Sequence, residues 1–280
     1  CLVNEAALPA NWDQFPKLLP LVEARYSEWL EARGLRAPSA EHGRGAEFLR
    51  FLTEQEDRAL TAQLEFVRRE VGYQGLLTHY NFNEYYFYLP LRSRLDLVDN
   101  HAYQDHPSYP QQAWRLPAGF TQHASLDAWC RVPLLLAATR IPGKPYTLSE
   151  MSFCYPNRTR AEGGPVLGAL AALHDYDGIY RFSHGPGELQ VPTYFNLDHE
   201  PVGQLSDRIL HFLFVRGDVA PARETLAYTW TPELVRELSN RNDAFPEDAF
   251  RLGLYGATGG LPATAPLPCD GVRPVPLGPG

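Results

Sequence analysis

Two glutamates occupy positions at which carboxylates could do chemistry, because each ends an apolar run of strand length. Glu5 ends the run 1–5 and follows Asn4, and Glu150 ends the run "PYTLSE". Two carboxyls about 5–5.5 Å apart can cleave a glycosidic bond with retention, since one attacks the anomeric carbon while the other protonates the leaving oxygen. One carboxyl must then stay ionised while the other keeps its proton. Taken singly, each glutamate reads as a surface carboxylate, so the pair predicts a site only if the fold brings both together.

The elements that must position these carboxylates alternate between strand and helix patterns. The sequence predicts strands over 1–5, 75–82, 95–103, 145–150 and 178–185 and helices over 17–33, 46–71, 125–139, 161–175 and 201–218. Pro133 should kink the third helix or mark its late start. Such alternation is typical of an α/β fold with a parallel sheet.

The alternation stops after residue 218, which divides the chain into a predicted α/β part over 1–218 and an extension over 219–280. Within the extension, "TLAYTW" and "AFRLGLYG" have the pattern of strands of an accessory β domain, and "TPELVRELSN" has that of a helix. The remaining Pro/Gly-rich stretch from "GGLPATAP" onward is typical of a linker or an irregular tail.

An open doubly wound sheet and a (β/α)8 barrel both fit this alternation. No Gly-x-Gly-x-x-Gly loop and no Walker-type Gly-Lys-Ser/Thr motif follows a strand, which weakens the nucleotide-binding forms of the open sheet. In barrels the carboxyl ends of the strands carry the active site. The polar residues at or just past the predicted strand ends are Asn4, Glu5, His79, Asn81, His101, Tyr103, Glu150 and His184. This placement favours the barrel.

In this order the segments resemble glycoside hydrolase clan A. "VNEAAL" is similar to the Asn-Glu motif of barrel strand 4, and "PYTLSEMSF" is similar to the nucleophile segment of strand 7. "GLLTHYNF", "LDLVDNHAYQDHP" and "HDYDGIYRFSHG" follow in the order of strands 5, 6 and 8. The resemblance covers about residues 1–218 and implies the C-terminal part, strands 4–8, of a TIM-type (β/α)8 barrel, followed by a short β-rich or irregular extension.

The resemblance also implies a retaining β-glycosidase that needs no cofactor and acts on a carbohydrate substrate. Glu5 would be the general acid/base and Glu150 the nucleophile. Asn4 would hydrogen-bond the sugar 2-hydroxyl, and Tyr103 would keep Glu150 ionised and aimed. The side chains expected to line the sugar subsites are Trp12, His101, Tyr155 and Phe182.

Two features depart from the clan's pattern. Strand 8 of the clan usually carries an aromatic residue, commonly tryptophan, under the sugar, whereas "GIYRFSHG" has no tryptophan and has Arg181 in this neighbourhood. The segments that would form strands 1–3 are also missing from this sequence. Half a barrel would expose two sheet edges and a broad apolar face. We therefore expect the N-terminal half of the barrel as another chain or as residues outside this sequence.

Two alternatives keep the barrel but change the function. A non-catalytic carbohydrate-binding barrel would carry the same rim residues without turnover. A metal-dependent barrel hydrolase is less favoured, because the chain has no His-x-His pair of the kind that such enzymes use. Its candidate ligands are His79, Asp99, His101, Asp105 and His106.

Composition argues against several other partners. The net charge is −8 and no basic run stands out, so nucleic acid is not expected. No apolar run approaches the ~18 residues of a membrane span. The four cysteines include no Cys-x-x-Cys pair, which argues against a zinc finger or a disulfide framework and leaves the compartment open.

Overall fold

The chain forms a mixed α/β structure with two small parallel sheets. The computed structural model describes residues 1–5, 15–36, 45–82, 88–127, 130–185, 194–239 and 247–276. The strands are β1 (Val98–Gln104), β2 (Tyr146–Phe153), β3 (Gly178–Arg181), β4 (Thr225–Trp230), β5 (Ala257–Pro262) and β6 (Val272–Pro276). The α-helices are α1 (Leu19–Glu31), α2 (Gly45–Glu65), α3 (Leu89–Arg92), α4 (Arg131–Ala138), α5 (Gly168–Leu173), α6 (Pro201–Leu210), α7 (Pro232–Ser239) and α8 (Glu247–Arg251). Within these ranges no helix is long and apolar enough to span a membrane.

The first sheet has the strand order β1-β2-β3, and all its strands are parallel. Helices α4 and α5 connect successive strands, as parallel pairing requires a crossover between them. The parallel α/β arrangement expected for this part of the chain is thus confirmed. The described strands close no barrel, and the barrel stays a prediction.

Two segments predicted as strands lie beside β1 without forming regular strands. The amide of Leu2 donates to the carbonyl of Thr78 over 2.9 Å, which places segment 1–5 next to segment 77–81. The amide of His101 donates in turn to the carbonyl of Asn81 over 2.5 Å. The order in space is therefore 1–5, 77–81, β1, β2 and β3, although the backbone contacts of the first two segments are isolated ones.

The helix predicted over 125–139 begins late, at Arg131, and continues to Ala138. Pro133 then lies in the first turn, where the missing amide hydrogen of a proline costs no helical hydrogen bond. Cys130 precedes the helix with a φ of 53°. Of the two predicted effects of Pro133, the late start is the one that occurs.

Helix α6 packs closely on the segment that precedes α5. Glu200 caps α6 by accepting hydrogen bonds from the amides of Val202 and Gly203, and Arg160 donates to the same carboxylate over 2.8 Å. A Cβ at Gly164 would lie 1.8 Å from the carbonyl oxygen of Ser206. Only glycine allows this close approach between α6 and the segment that precedes α5.

The second sheet has the order β5-β4-β6, with both outer strands parallel to β4. The predicted strand "TLAYTW" and helix "TPELVRELSN" are confirmed as β4 and α7.

The predicted strand "AFRLGLYG" is wrong, because α8 and a 3-10 turn occupy this stretch. Periodicity does not separate helix from strand in a short apolar run. The predicted irregular tail is also wrong, since it contains part of β5 and all of β6. As an edge strand, β6 tolerates its prolines.

The second sheet shares an apolar core with the first. Ala227, Leu261 and Val272 pack in one cluster with Leu148 and Tyr146 of β2. The backbone of the loop after α4 is hydrogen-bonded to this sheet as well, since the amide of Gly260 donates to the carbonyl of Arg140 over 2.7 Å. The predicted division of the chain at residue 218 stays a prediction.

A buried histidine at this junction should make the protein unstable in acid. His174 is fully buried and accepts a hydrogen bond from the amide of Thr258 over 3.1 Å. Burial, helped by the nearby charge of Arg140, lowers the pKa of His174 to about 3, whereas an unfolded histidine titrates near about 6.5. Between these values only the unfolded chain binds the proton. The free energy of unfolding should therefore fall by about 1.4 kcal/mol per pH unit from this group as the pH drops below about 6.5.

Urea unfolding between about pH 7 and pH 4 checks this expectation. In a His174→Gln variant the pH slope should be smaller by about 1.4 kcal/mol per unit. The exposed His123 provides the matched control, and His123→Gln should keep the wild-type slope. An unchanged slope in the His174 variant would contradict the assignment.

Candidate functional site

A register shift between β1 and β2 brings three polar side chains together. Asn100 pairs with Leu148, but the next residue, His101, pairs with Glu150, so Ser149 is an extra residue in β2. Bulges of this kind turn side chains toward a common point and often occur next to active sites. Here the bulge lets both Ser149 and Glu150 reach the ring of His101.

The carboxylates of Glu5 and Glu150 meet around His101. The Nδ1 atom of His101 lies 2.8 Å from Oε1 of Glu5 and 3.5 Å from Oε2 of Glu150. One carboxylate oxygen from each glutamate and one ring nitrogen of His101 all lie within 4.8 Å of one another. Two carboxyls this close can act on one bond, as cleavage of a glycosidic bond by a pair of carboxylates requires.

Asn81 holds both Glu5 and the ring of His101. The backbone amide of Glu5 donates to Oδ1 of Asn81 over 2.8 Å, which fixes the orientation of the Asn81 side-chain amide. Its Nδ2 then donates to Nε2 of His101 over 2.9 Å and to Oδ1 of Asn4 over 3.2 Å. Because Nε2 accepts, the proton of a neutral His101 lies on Nδ1 and points at Glu5.

Glu5 itself adopts a backbone conformation that is unusual for a residue with a side chain. Its φ is 52°, in the left-handed region. Residues in this region cost on the order of 1–3 kcal/mol and persist where the surroundings determine them, often at functional sites. The hydrogen bond from its amide to Asn81 is one such determinant.

A second layer of contacts lies against His101. Ser149 Oγ lies 3.0 Å from Nε2 of His101, and its proton is donated to the carboxylate of Asp99 rather than to the ring, whose Nε2 accepts from Asn81. Asp99 is buried and also accepts from Oγ1 of Thr147 and from the amide of Ser149. This chain of contacts fixes the ring of His101, which is itself 1% exposed.

Tyr103 is the hydrogen-bond donor of Glu150. Its hydroxyl donates to Oε2 of Glu150 over 2.6 Å. Burial, together with the hydrogen bond to Glu150 and the charges of Glu150 and Glu5, raises the pKa of Tyr103 far above its usual value. Tyr103 therefore stays protonated and remains a hydrogen-bond donor that orients the carboxylate of Glu150.

The two glutamates thus occupy unlike environments. The side chain of Glu150 is 23% exposed and accepts a hydrogen bond from Tyr103. The side chain of Glu5 is 40% exposed, and its Oε1 lies against the Nδ1–H of His101. The more exposed Glu5 is open to water and to a leaving oxygen, whereas the less exposed Glu150 is held in place by Tyr103. This difference suits proton transfer by the first and nucleophilic attack by the second.

The same three residues could also contribute donor atoms to a divalent cation. The hydrogen-bond network opposes this use. Because Nε2 of His101 accepts from Asn81, Nδ1 carries the proton and has no free lone pair to donate to a metal ion. The other ligands predicted for a metal site do not join this group. His79 stacks on Tyr80 with ring centroids 4.1 Å apart, and Asp105 is bound by Thr121, Gln122 and Asn157.

The residues predicted to contact the sugar lie in different places. Phe182 lies next to the site, with its ring 6.1 Å from that of Tyr103, at the position after β3 where the sequence lacks a tryptophan. The guanidinium of Arg160 lies over the ring of Tyr155, 5.3 Å from its centroid. Asn4 is exposed beside Glu5. Trp12 lies outside the described residues.

The sequence placed Asn81 at a strand end and offered Asp99 only as a candidate metal ligand. It gave neither of them a part in the carboxylate site, and Ser149 was not among the predicted site residues. Asn81 ends a segment whose neighbour in space is Glu5, and only the three-dimensional order of the segments reveals this contact. The polar run around Asp99, two residues before His101, was the available signal for a supporting carboxylate.

Comparisons of the chain with protein-family models, with curated proteins and with solved structures find no match. The resemblance to clan A glycoside hydrolases stays a prediction, and the role of these residues is argued from their geometry and chemistry.

Proposed function

We propose that this chain carries the catalytic carboxylates of a retaining β-glycosidase built on strands 4–8 of a (β/α)8 barrel. The observation that carries the proposal is the meeting of Glu5 and Glu150, far apart in sequence, around one buried histidine. The spatial order 1–5, 77–81, β1, β2, β3 supports the barrel part, because it is the order of neighbours that consecutive barrel strands would have.

The reaction proceeds in two displacements. Glu150 attacks the anomeric carbon while the bond to the leaving oxygen breaks and Glu5 gives that oxygen its proton. A water molecule then attacks the same carbon and gives a proton to Glu5, and the bond to Glu150 breaks. Tyr103 assists the second step, because its hydroxyl donates to the carboxylate that must leave.

Covalent trapping tests the proposal. We expect the protein to gain the mass of one sugar when it is incubated with a panel of 2-deoxy-2-fluoro-β-glycosides, since the fluorine slows release of the glycosyl-enzyme more than its formation. Peptide mapping should place the sugar on Glu150, and Glu150→Gln should gain no mass. A chelator should leave trapping unchanged, which separates this function from the metal-dependent hydrolase.

The same experiment identifies the non-catalytic alternative. A carbohydrate-binding barrel without turnover would bind the glycosides and gain no covalent mass with any of them. Modification that maps to a residue other than Glu150 would remove the proposed role of this glutamate.

A further inference from the structure

We propose that Trp114 is the stacking platform of a second sugar subsite, so that the substrate is an extended glycan rather than a single sugar on a small leaving group. This inference rests on the proposed glycosidase function. Trp114 lies in the loop between β1 and α4 and is 65% exposed. Such exposure leaves the flat apolar surface of the indole open to the C–H groups of a sugar ring, which its negative π face attracts.

The loop that carries Trp114 is held at its base. The carboxylate of Asp105 accepts hydrogen bonds from the amide of Thr121 over 2.7 Å and from the amide of Gln122 over 2.9 Å. Burial alone would raise the pKa of Asp105, but these bonds and that from Asn157 lower it, so the carboxylate stays ionised and acts as an acceptor. Further out, Ser108 and Gly119 exchange two backbone hydrogen bonds of 3.0 and 2.8 Å.

Rings behind Trp114 fix its position. Its centroid lies 5.7 Å from that of His106, 5.3 Å from that of Tyr109 and 6.1 Å from that of Phe195. The backbone of Trp114 has a φ of 63°, which a bulky residue adopts only where its surroundings hold it. A ring that contacts three neighbouring rings and is still 65% exposed is preorganised for a ligand, because little side-chain entropy is lost on binding.

The same rings connect Trp114 to the carboxylate pair. Phe195 lies 5.2 Å from Tyr103, and His106 lies 5.3 Å from Tyr103. Tyr103 in turn donates to Glu150. Two ring contacts thus separate Trp114 from Tyr103, which places the platform near the carboxylate pair.

Polar residues are the neighbours of Trp114 in the sequence. Gln111, Gln112 and Arg115 are exposed on the same loop. A loop that combines an open indole with exposed amide and guanidinium groups suits a ligand that combines an apolar ring face with many hydroxyls. A sugar ring has this chemistry.

Calorimetry on the Glu150→Gln protein measures the platform apart from turnover. The probes are the hexasaccharides and disaccharides of β-1,4-linked glucose, xylose and mannose. We expect the best hexasaccharide to bind more tightly than its disaccharide, and a Trp114→Ala change to weaken hexasaccharide binding by about tenfold or more. Trp114→Tyr should recover most of the affinity, because it restores an aromatic face. Leu116→Ala is the matched control, since Leu116 is 79% exposed on the same loop, and it should change affinity by less than about twofold.

The outcomes separate this inference from the proposed function. Hexasaccharide affinity that survives Trp114→Ala overturns the platform, even where trapping on Glu150 succeeds, and so does a failure of every hexasaccharide to bind. Trapping uses single-sugar reagents and therefore reports on the carboxylates alone. Binding that depends on Trp114 without any trapping would retain the platform and overturn the enzyme.

Discussion

Replacing Glu150 with glutamine should lower kcat on the order of 10⁴-fold or more, while the protein stays folded. The amide cannot attack the anomeric carbon, and no other carboxylate among the described residues shares the contact with Tyr103. The side chain is 23% exposed and glutamine keeps its shape, so the fold should not suffer. The measurement is kcat on the aryl β-glycoside that the wild-type protein cleaves best, with the melting temperature recorded alongside.

A cavity variant makes the role of Glu150 more specific. In Glu150→Gly, added azide can occupy the space of the lost carboxylate and attack from that side, giving an α-glycosyl azide from a β-glycoside. Glu224→Gln provides the control, because Glu224 is an exposed carboxylate paired only loosely with Arg273, at 3.6 Å, and it should keep wild-type kcat. Retention of a tenth or more of the activity in Glu150→Gln would rule out Glu150 as the nucleophile.

The sequence was sufficient to pick out the two carboxylates because both follow from local pattern. Each of Glu5 and Glu150 ends an apolar run in the sequence. In the structure β2 continues to Phe153 and 1–5 forms no regular strand, so the predicted strand ends are wrong although the two glutamates do meet around His101. Tyr103 and His101 were found in the same way, since their alternation along β1 puts both on one face. Because side chains alternate along a strand, the sequence alone predicts which residues share a face.

The register of β1 against β2 is not contained in either strand alone. The bulge that opposes His101 to Glu150 inserts Ser149, and nothing in "PYTLSEMSF" distinguishes a bulged strand from a regular one. The contact between Asn81 and Glu5 was missed for a related reason. It joins two segments that are irregular, so the strand pattern used to find them says nothing about their side-chain partners.

The second sheet shows that local composition does not predict every strand. Its outer strands are rich in glycine and proline, as in "ATGGLP" and "VRPVP", and both residue types weaken strand propensity. Their pairing is determined by tertiary contacts instead. Gly259 in β5 comes so close to the chain that a Cβ would lie 2.7 Å from the carbonyl oxygen of Arg140. The close packing of β5 against the loop after α4 requires glycine at this position, whereas local propensity predicts a turn.

Replacing Glu5 with glutamine should produce a loss that depends on the leaving group. For a substrate whose leaving oxygen needs a proton, such as a second sugar, kcat should fall about 10²- to 10⁴-fold. For a 2,4-dinitrophenyl glycoside the first displacement needs no proton and should remain fast. The second step then becomes limiting, because no base activates the water, and a burst of dinitrophenol should precede a slow steady state.

This dependence distinguishes an acid/base role for Glu5 from a structural or metal-binding one. A carboxylate that only positioned His101, with which it shares a 2.8 Å contact, would affect both substrates alike when replaced. A metal ligand would do the same, and the loss would respond to added cation. With Glu5→Ala, azide should speed the second step and give a β-glycosyl azide, the opposite anomer to that from Glu150→Gly. Because the two carboxylates lie on opposite sides of the reacting carbon in the proposed mechanism, this reversal of product configuration is the most direct test that both act on one bond.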